Sequence, residues 1–506
     1  MNLSSILDGV TVTKMFQTMY GTMVVTHEVK VGGIRYDSRA VRPGDAFVAI
    51  HGGTMDGHAF IPEAIGKGAT VVVLERDDAY PDSYFMHAGV VKIVVPDTRV
   101  ALATMAGNMY AHPSRRLRLV GVTGTNGKTT TTHLIRSVLE AQGETVGLIG
   151  TIGYSVGGVV TEATHTTPEA PDVNGLLDRM VAAGCTAAVM EVSSHALALR
   201  RVHGLRFAAA AFTNLTQDHL DFHGSMEEYC KAKKTLFDNL DPDAVAVTNG
   251  DDAAGERMVV DSRARSIRYA LKASADVAGR DIRLGLKGTS LTVVHDGRSV
   301  PVATHLIGRF NVQNVLAAYA TGVGLGIADD AIVRGIGNQK GVNGRFEQIP
   351  APAGWTAVID YAHTPDALEN SLTTIRELLP EGGRIITVFG CGGNRDKGKR
   401  PVMGTIASTL SDITVVTSDN PRHEKPESII DDILRGVDRL KEVHVEPDRR
   451  AAIRLGLERA SRGDVVLIAG KGHERYQIIG DGKMHFDDHE EVQGFLAGTT
   501  RRRAMS

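Results

Sequence analysis

The sequence predicts a three-domain α/β protein with mainly parallel sheets, and three observations carry that prediction. At 506 residues the chain is well beyond the ~250–300 residues at which a single hydrophobic core stops growing. At Gly121-Val122-Thr123-Gly124-Thr125-Asn126-Gly127-Lys128-Thr129-Thr130 an apolar strand pattern runs into a glycine-rich turn and then a helix. After Asn343-Gly344-Arg345 the alternation of apolar strands and helical segments starts afresh.

Composition sets the class. Hydrophobic residues make up 42% of the chain, enough for packed cores, and 56 basic against 59 acidic residues leave a net charge of −3. That balance gives no pull toward nucleic acid or an anionic membrane. The three cysteines, Cys185, Cys230 and Cys391, are far apart and form neither a metal motif nor a disulfide framework, as suits a reducing cytoplasm. No apolar run approaches the ~18 residues of a membrane span, and the N-terminus lacks a signal pattern. A cytoplasmic protein without membrane insertion is expected.

In residues 1–113, short apolar runs at 23–25, 46–50, 70–74 and 91–95 alternate with loops rich in Gly, Asp and Pro, which reads as a small α/β domain. His112-Pro113-Ser114 is the linker. Residues 114–345 form the central domain. Leu117, Leu119, Val120 and Val122 make its first buried strand, and Leu134, Ile135, Val138 and Leu139 recur at helical spacing until Gly143. Between them lies a phosphate cradle, although Val122 stands where the strict P-loop spacing has a glycine. Gly124 and Gly127 let the backbone approach a polyanion, helix N–H groups face it, Lys128 adds charge, and Thr129 or Thr130 offers a hydroxyl to Mg²⁺. The expected nucleotide is ATP or GTP.

Further strands at 187–190 and 244–248 continue this domain. Glu191 ends the first of them, at the sheet edge where α/β folds bind ligands, and supplies the hard oxygen that Mg²⁺ wants beside a P-loop. Asp218, His219, Asp221 and His223 crowd six residues after another apolar strand, too densely for an ordinary loop. Residues 346–506, with strands at 356–359, 385–389, 413–417 and 465–468, read as a Rossmann-like, doubly wound third domain.

Taken in order, these motifs resemble those of the Mur ligases, the ATP-dependent amide-bond-forming enzymes of peptidoglycan precursor synthesis. The resemblance rests on residues 123–130, 191–195 and 214–224 with Lys233, on Gly308-Arg309-Phe310-Asn311-Val312-Gln313-Asn314, on residues 343–347, and on Asp360-Tyr361-Ala362-His363. It implies an ADP-forming ligase in which Gly124, Thr125, Asn126, Gly127, Lys128, Thr129, Thr130, Asn311, Arg345, Asp360 and His363 bind ATP. It also implies that Lys128, Glu191, His219 and Lys233 are catalytic. Mg²⁺ would be held by Thr129, Glu191, His219 and Lys233, the last carrying a CO₂-derived carbamate.

Within the family, Asp37-Ser38-Arg39, His165-Thr166-Thr167-Pro168 and Asp419-Asn420-Pro421-Arg422 resemble the members that add the third residue of the stem peptide. The first domain would then bind the uridine end of UDP-N-acetylmuramoyl-L-alanyl-D-glutamate (UDP-MurNAc-L-Ala-D-Glu), with Ser38, Thr166, Thr167, Ser193 and Arg201 as substrate contacts. Arg395, Asp419, Asn420, Pro421, Arg422, Gly470 and Glu474 would bind meso-diaminopimelate. The chemistry agrees, because that amino acid carries a second carboxylate which an arginine meets with a paired, charge-assisted contact. A monomer acting on these small molecules is expected. The alternatives are a lysine-adding relative, a folylpolyglutamate-type ligase, and a P-loop nucleotide switch that needs no amine.

Overall fold

The computed structural model describes residues 1–504 except 26, 53–54, 286–287 and 439, and the chain divides into two compact units. The first comprises Met1–Val122, Glu144–Ala210 and Thr235–Ala244. Its N-terminal sheet runs in the order Lys14–Phe16, Val91–Val94, Val71–Leu74, Ala46–Val48, Ile34–Arg35, antiparallel at the first pair and parallel thereafter. Val71–Leu74 and Val91–Val94 are buried at every position, as the continuous apolar runs of a two-sided parallel sheet should be. The run at 23–25 is different. Thr22–Met23 pairs with Thr18–Met19 in a separate ribbon, and Met23 is 73% exposed. The true sheet edges, Lys14–Phe16 and Ile34–Arg35, are too short to show a period.

A second array in this unit places Ala187–Glu191 between Val146–Ile149 and Arg118–Thr123, all parallel, with the hairpin Tyr154–Val156 and Val159–Thr161 beyond Val146–Ile149. Glu191 sits opposite Val122, at the C-terminal end of its strand. The chain leaves the unit immediately after Val122.

The second unit comprises Thr123–Gly143, Ala211–Lys234 and Val245–Ser506. Its helix Lys128–Ala141 packs against Arg309–Gly324 and Asp329–Asn338. The last contact is close: Ser137 Oγ donates to Gly335 O at 2.7 Å, and a Cβ on Gly335 would lie 2.4 Å from Val138 Cα. Val245–Asn249 pairs with Arg265–Ala270, which leads to an antiparallel meander of Val277–Gly285, Gly288–His295 and Arg298–Thr304.

The C-terminal sheet has the order Glu347–Pro350, Thr356–Asp360, Val465–Ala469, Ile385–Phe389, Ile413–Val416, Glu442–Val445, parallel except at the first pair. All four predicted strands are present. Val465–Ala469 returns to lie between Thr356–Asp360 and Ile385–Phe389, and in sheets of this kind ligands bind beyond the C-terminal ends of the strands.

Near the C-terminal end of Val465–Ala469, Arg449 and Asp488 are both fully buried. The guanidinium meets the carboxylate at 2.8 and 2.7 Å and donates to the Ser418 and Ala469 carbonyls at 3.2 and 3.1 Å. Arg449→Met strands a buried carboxylate and costs about 3–5 kcal/mol. In a calorimetric scan the unfolding midpoint drops; an unchanged profile would contradict this role. Among the described residues no helix is long and apolar enough to cross a membrane.

Candidate active site

The turn expected to cradle phosphate is built from backbone that only glycine tolerates. Gly124 has φ +149°, and a Cβ there would lie 1.8 Å from Thr213 Oγ1. Gly127 has φ +85°, and its Cβ would lie 2.3 Å from Asn314 Oδ1. The loop between them is pinned: Thr125 N–H donates to Asn214 O at 2.8 Å, Asn126 N–H to Asn214 Oδ1 at 2.9 Å, and the Asn126 amide to Asp366 at 2.7 Å. Lys128 opens the helix and folds back to donate to the Gly124 and Thr125 carbonyls, both at 2.9 Å. Gly127→Ala weakens ATP binding by roughly tenfold, because a left-handed alanine costs ~1–2 kcal/mol and displaces Asn314. Calorimetric titration with ATP reads the change, and an unaltered affinity would contradict the cradle.

The other predicted nucleotide residues converge here. Arg345 donates to Thr129 Oγ1 at 3.0 Å and lies 4.4 Å from the centre of the Tyr361 ring. Asn314 donates to Asn311 Oδ1 at 3.0 Å, tying Asn311 to the loop at Gly127. Thr130 is buried in the helix. Asp360 accepts from Ser371 Oγ at 2.6 Å, and burial raises its carboxyl above the usual range. Burial and Lys399 push His363 down to about 4, so at neutral pH it is uncharged and shares a hydrogen bond between Nδ1 and Tyr361 O at 2.8 Å.

Lys233, only 1% exposed, donates to Gly124 O at 2.9 Å and lies 4.3 Å from the Tyr229 ring centre. Lys128 uses the same carbonyl oxygen. Two ammonium groups on one carbonyl repel, and the amine at 233 yields: burial first, then Lys128, push it well below the ordinary lysine value. His219 has φ +54° and holds Nε2 3.3 Å from Asp218. Burial works to raise the Asp218 carboxyl, but His363, His219 and Lys399 outweigh it and hold the carboxyl below its usual value.

Among the described residues no three His, Cys, Asp or Glu side chains form a ready cage for a metal. Within the second unit, the Thr129 hydroxyl is a hard oxygen of the kind Mg²⁺ takes beside phosphates, and His219 adds a ring nitrogen. The lysine at 233 carries no oxygen, so it could become a further oxygen donor only by acquiring a carboxyl group.

Glu191 belongs to the first unit, where its own surroundings are well defined. It is 1% exposed, and its two oxygens accept from the Thr151 N–H at 2.8 Å and the Thr151 hydroxyl at 3.0 Å. Thr151 and Thr166 hydroxyls lie 3.1 Å apart. Thr167 Oγ1 donates to Glu191 O at 2.7 Å and accepts from Ser193 N–H at 3.1 Å. Arg201 donates to Thr167 O at 2.9 Å and pairs with Glu169 at 2.8 Å. Thr166, Thr167, Ser193, Arg201 and Glu191 thus form one polar network. Ser38 belongs to another, donating to Glu63 at 2.8 Å.

The loops of the second unit expected to bind the amino acid have two electrical poles. Half-buried Arg422 donates to Gly393 O at 2.9 Å, and burial together with the neighbouring Arg395 pushes its guanidinium below its usual value. Its backbone, at φ +52°, is held by Ile478 O at 3.0 Å and by Gly480 N–H at 2.7 Å. Pro421 packs its carbonyl against Gly393, which donates its N–H to Asn420 O at 2.9 Å. The opposite pole is acidic. Asn420 donates to Glu474 at 2.8 Å, and burial and Asp419 raise the Glu474 carboxyl. Gly470 has φ +118°, and a Cβ there would lie 2.5 Å from Asp419 Oδ2.

Two residues that hold these poles escaped the sequence reading. Lys471, fully buried, reaches Asn420 at 3.1 Å and Glu474 at 3.2 Å; its place between Gly470 and Gly472 was the available signal. Arg400, also fully buried, fixes Glu424 at 2.9 Å and Asp432 at 2.9 Å. Nothing in its local sequence marks it as buried.

Comparison with known proteins gives consistent matches along the chain. Residues 30–110 match the model of the Mur ligase family, catalytic domain; residues 122–322 the Mur ligase middle domain; and residues 344–472 the Mur ligase, glutamate ligase domain. The UDP-N-acetylmuramoyl-L-alanyl-D-glutamate–2,6-diaminopimelate ligase of Parabacteroides distasonis is 45% identical over 467 residues, covering 92% of this chain and 94% of that protein. The enzyme of the same name from Solibacter usitatus is 44% identical over 501 residues, covering 98% and 99%. A solved structure of a ligase with this name superimposes with a TM-score of 0.67 at 33% identity, over 96% of this chain and 99% of that one.

Proposed function

Because the chain belongs to the Mur ligase family, we propose that it is an ATP-dependent, ADP-forming ligase that joins meso-diaminopimelate to UDP-MurNAc-L-Ala-D-Glu. The three-domain division follows: residues 1–113 for the uridine end, 114–345 for ATP and 346–506 for the amino acid. The enzyme acts as a cytoplasmic monomer in peptidoglycan precursor synthesis.

The observation that carries this reading is the two-poled amino-acid site. Arg395 and Arg422 answer a carboxylate, and Asp419 and Glu474 answer an ammonium. The far end of meso-diaminopimelate is a complete amino acid, with both groups on one carbon. The far end of lysine is an ammonium alone, which would leave Arg422 facing Arg395 unneutralised.

The substrate carboxylate attacks the γ-phosphorus of ATP, ADP leaves, and an acyl phosphate forms. The amine of diaminopimelate adds to its carbonyl carbon, and the tetrahedral intermediate collapses with loss of phosphate and a proton. Carboxylate and γ-phosphate are both anions, so bringing them together needs cations. Lys128 turns from the Gly124 and Thr125 carbonyls to the phosphates, and Arg345 steadies Thr129. Thr129, Glu191, His219 and carbamylated Lys233 each offer a donor suited to Mg²⁺, which would supply charge neutralisation when bound. The carbamate is supported by burial and Lys128, which both disfavour the protonated form of the Lys233 amine: the lone pair of the deprotonated amine attacks the carbon of CO₂, the nitrogen then loses a proton, and a neutral amine becomes an anion. The repulsion with Lys128 then turns to attraction.

Mass spectrometry tests the reaction. With ATP, the nucleotide dipeptide and meso-diaminopimelate, a product heavier by one diaminopimelate less one water is expected, with ADP and phosphate in equal amounts. ADP without that product would assign the chain to nucleotide switches.

A further inference from the structure

A cavity of about 510 Å³ in the first unit is lined by none of the residues assigned above. Its size falls in the ~300–1,000 Å³ range of small-molecule sites. Leu197, Phe207 and Leu236, all under 9% exposed, contribute an apolar floor, and Arg115, Arg200 and Arg206 contribute cations. Arg206 is committed to Asp241 at 3.1 Å and Asp243 at 2.5 Å. Arg115 and Arg200 have no ion-pair partner among the described residues. Both arginines are solvent-exposed, so their guanidiniums are open to an incoming anion, and beside an apolar floor they suit an anion carried on an apolar body.

The backbone at Arg200 ties this cavity to the peptide-substrate network. Helix Ser194–Ala198 ends with Arg201 N–H donating to Ala196 O at 2.8 Å and Arg200 N–H to Leu197 O at 3.2 Å. That pair of bonds requires a left-handed residue between them, a place that favours glycine. Here it is Arg200, at φ +57°. A strained arginine persists where the surroundings fix it, and such strain gathers at ligand sites. The next residue, Arg201, donates to Thr167 O at 2.9 Å and pairs with Glu169 at 2.8 Å. One turn therefore supplies a cation to the cavity and a contact to the substrate network.

We propose that the cavity binds a small amphipathic anion, a carboxylate or phosphate on an apolar or aromatic body, and that its occupancy changes the affinity for the nucleotide dipeptide through residues 199–201. The coupling rests on the function proposed above; the binding does not. By linkage, an occupant that shifts Arg201 changes dipeptide affinity, and the dipeptide changes the occupant's affinity equally.

The test uses the full chain with saturating Mg-ATP and two fluorescent probes, 8-anilinonaphthalene-1-sulfonate and its uncharged counterpart N-phenyl-1-naphthylamine. The sulfonate is expected to bind at least tenfold more tightly than the uncharged probe, and Arg115→Ala with Arg200→Gly to erase that difference. Glycine suits the left-handed turn, so the variant keeps its thermal midpoint. Saturating sulfonate is expected to change the KM for the nucleotide dipeptide at least threefold and leave that for diaminopimelate unchanged. Equal affinity for the two probes, or a sulfonate affinity that the double variant does not alter, would overturn the site. An unchanged dipeptide KM with the sulfonate bound would overturn the coupling. If no ligation occurs, the fluorescence titrations still decide the binding claim by themselves.

Discussion

Lys233→Ala lowers the ligation rate by about 10²–10³-fold, the scale of removing a preorganised charge-stabilising group, while ATP still binds. The expectation follows from the position of the amine. It is buried, it shares the Gly124 carbonyl with Lys128 at 2.9 Å, and its charged form is disfavoured first by burial and then by Lys128. A permanently protonated lysine here would add repulsion and no catalytic donor. A carbamate would neutralise Lys128 and offer oxygen to a metal. Stripping CO₂ from the buffer is therefore expected to depress wild-type turnover, and bicarbonate to restore it. Only the neutral amine attacks CO₂, so restoration weakens as pH falls through the depressed lysine value. Lys233→Met fills the space without a nitrogen and controls for packing; it is expected to be as inactive as the alanine variant and indifferent to bicarbonate. Wild-type turnover that ignores CO₂ at every pH would rule the modification out.

Arg422→Gly is expected to cut kcat/KM for meso-diaminopimelate by about 30–1,000-fold, the ~2–4 kcal/mol lost when one partner of a desolvated charged contact is truncated. Glycine is chosen because φ at this position is +52°, so the backbone keeps its bonds to Ile478 and Gly480 while the guanidinium disappears. Arg422→Lys retains the charge but not the paired donors, and should recover only part of the loss. The change should fall mainly on KM for the amino acid, with KM for ATP unaltered. A loss shared equally by both substrates would mean that the loop, and not the guanidinium, matters.

The glycine-rich turn and the buried strands of the candidate site were legible because their signals are local. The cradle could be read from two glycines, a lysine and two threonines between strand and helix, and the structure supplies the reason the glycines are needed: Thr213 and Asn314 occupy the space of any Cβ. Buried parallel strands such as Val71–Leu74 and Ile385–Phe389 announce themselves as apolar runs. Edge strands do not. Glu442–Val445 is half exposed and polar, and the run at 23–25 is apolar yet lies largely outside the sheet core. Buried ion pairs were least visible, since Arg400, Arg449 and Lys471 look like surface residues until distant carboxylates meet them. The contest of Lys128 and Lys233 for one carbonyl is likewise a product of the fold, which brings Lys233 to Gly124 across 109 residues of sequence.

The central assignment is tested most directly by phosphate release from ATP in the presence of UDP-MurNAc-L-Ala-D-Glu, with meso-diaminopimelate and L-lysine compared as the amine. Release that depends on diaminopimelate and is negligible with lysine is the expected result. Equal release with the two amines, or release with lysine alone, would contradict the reading of Arg395 and Arg422 as the carboxylate pole of the site.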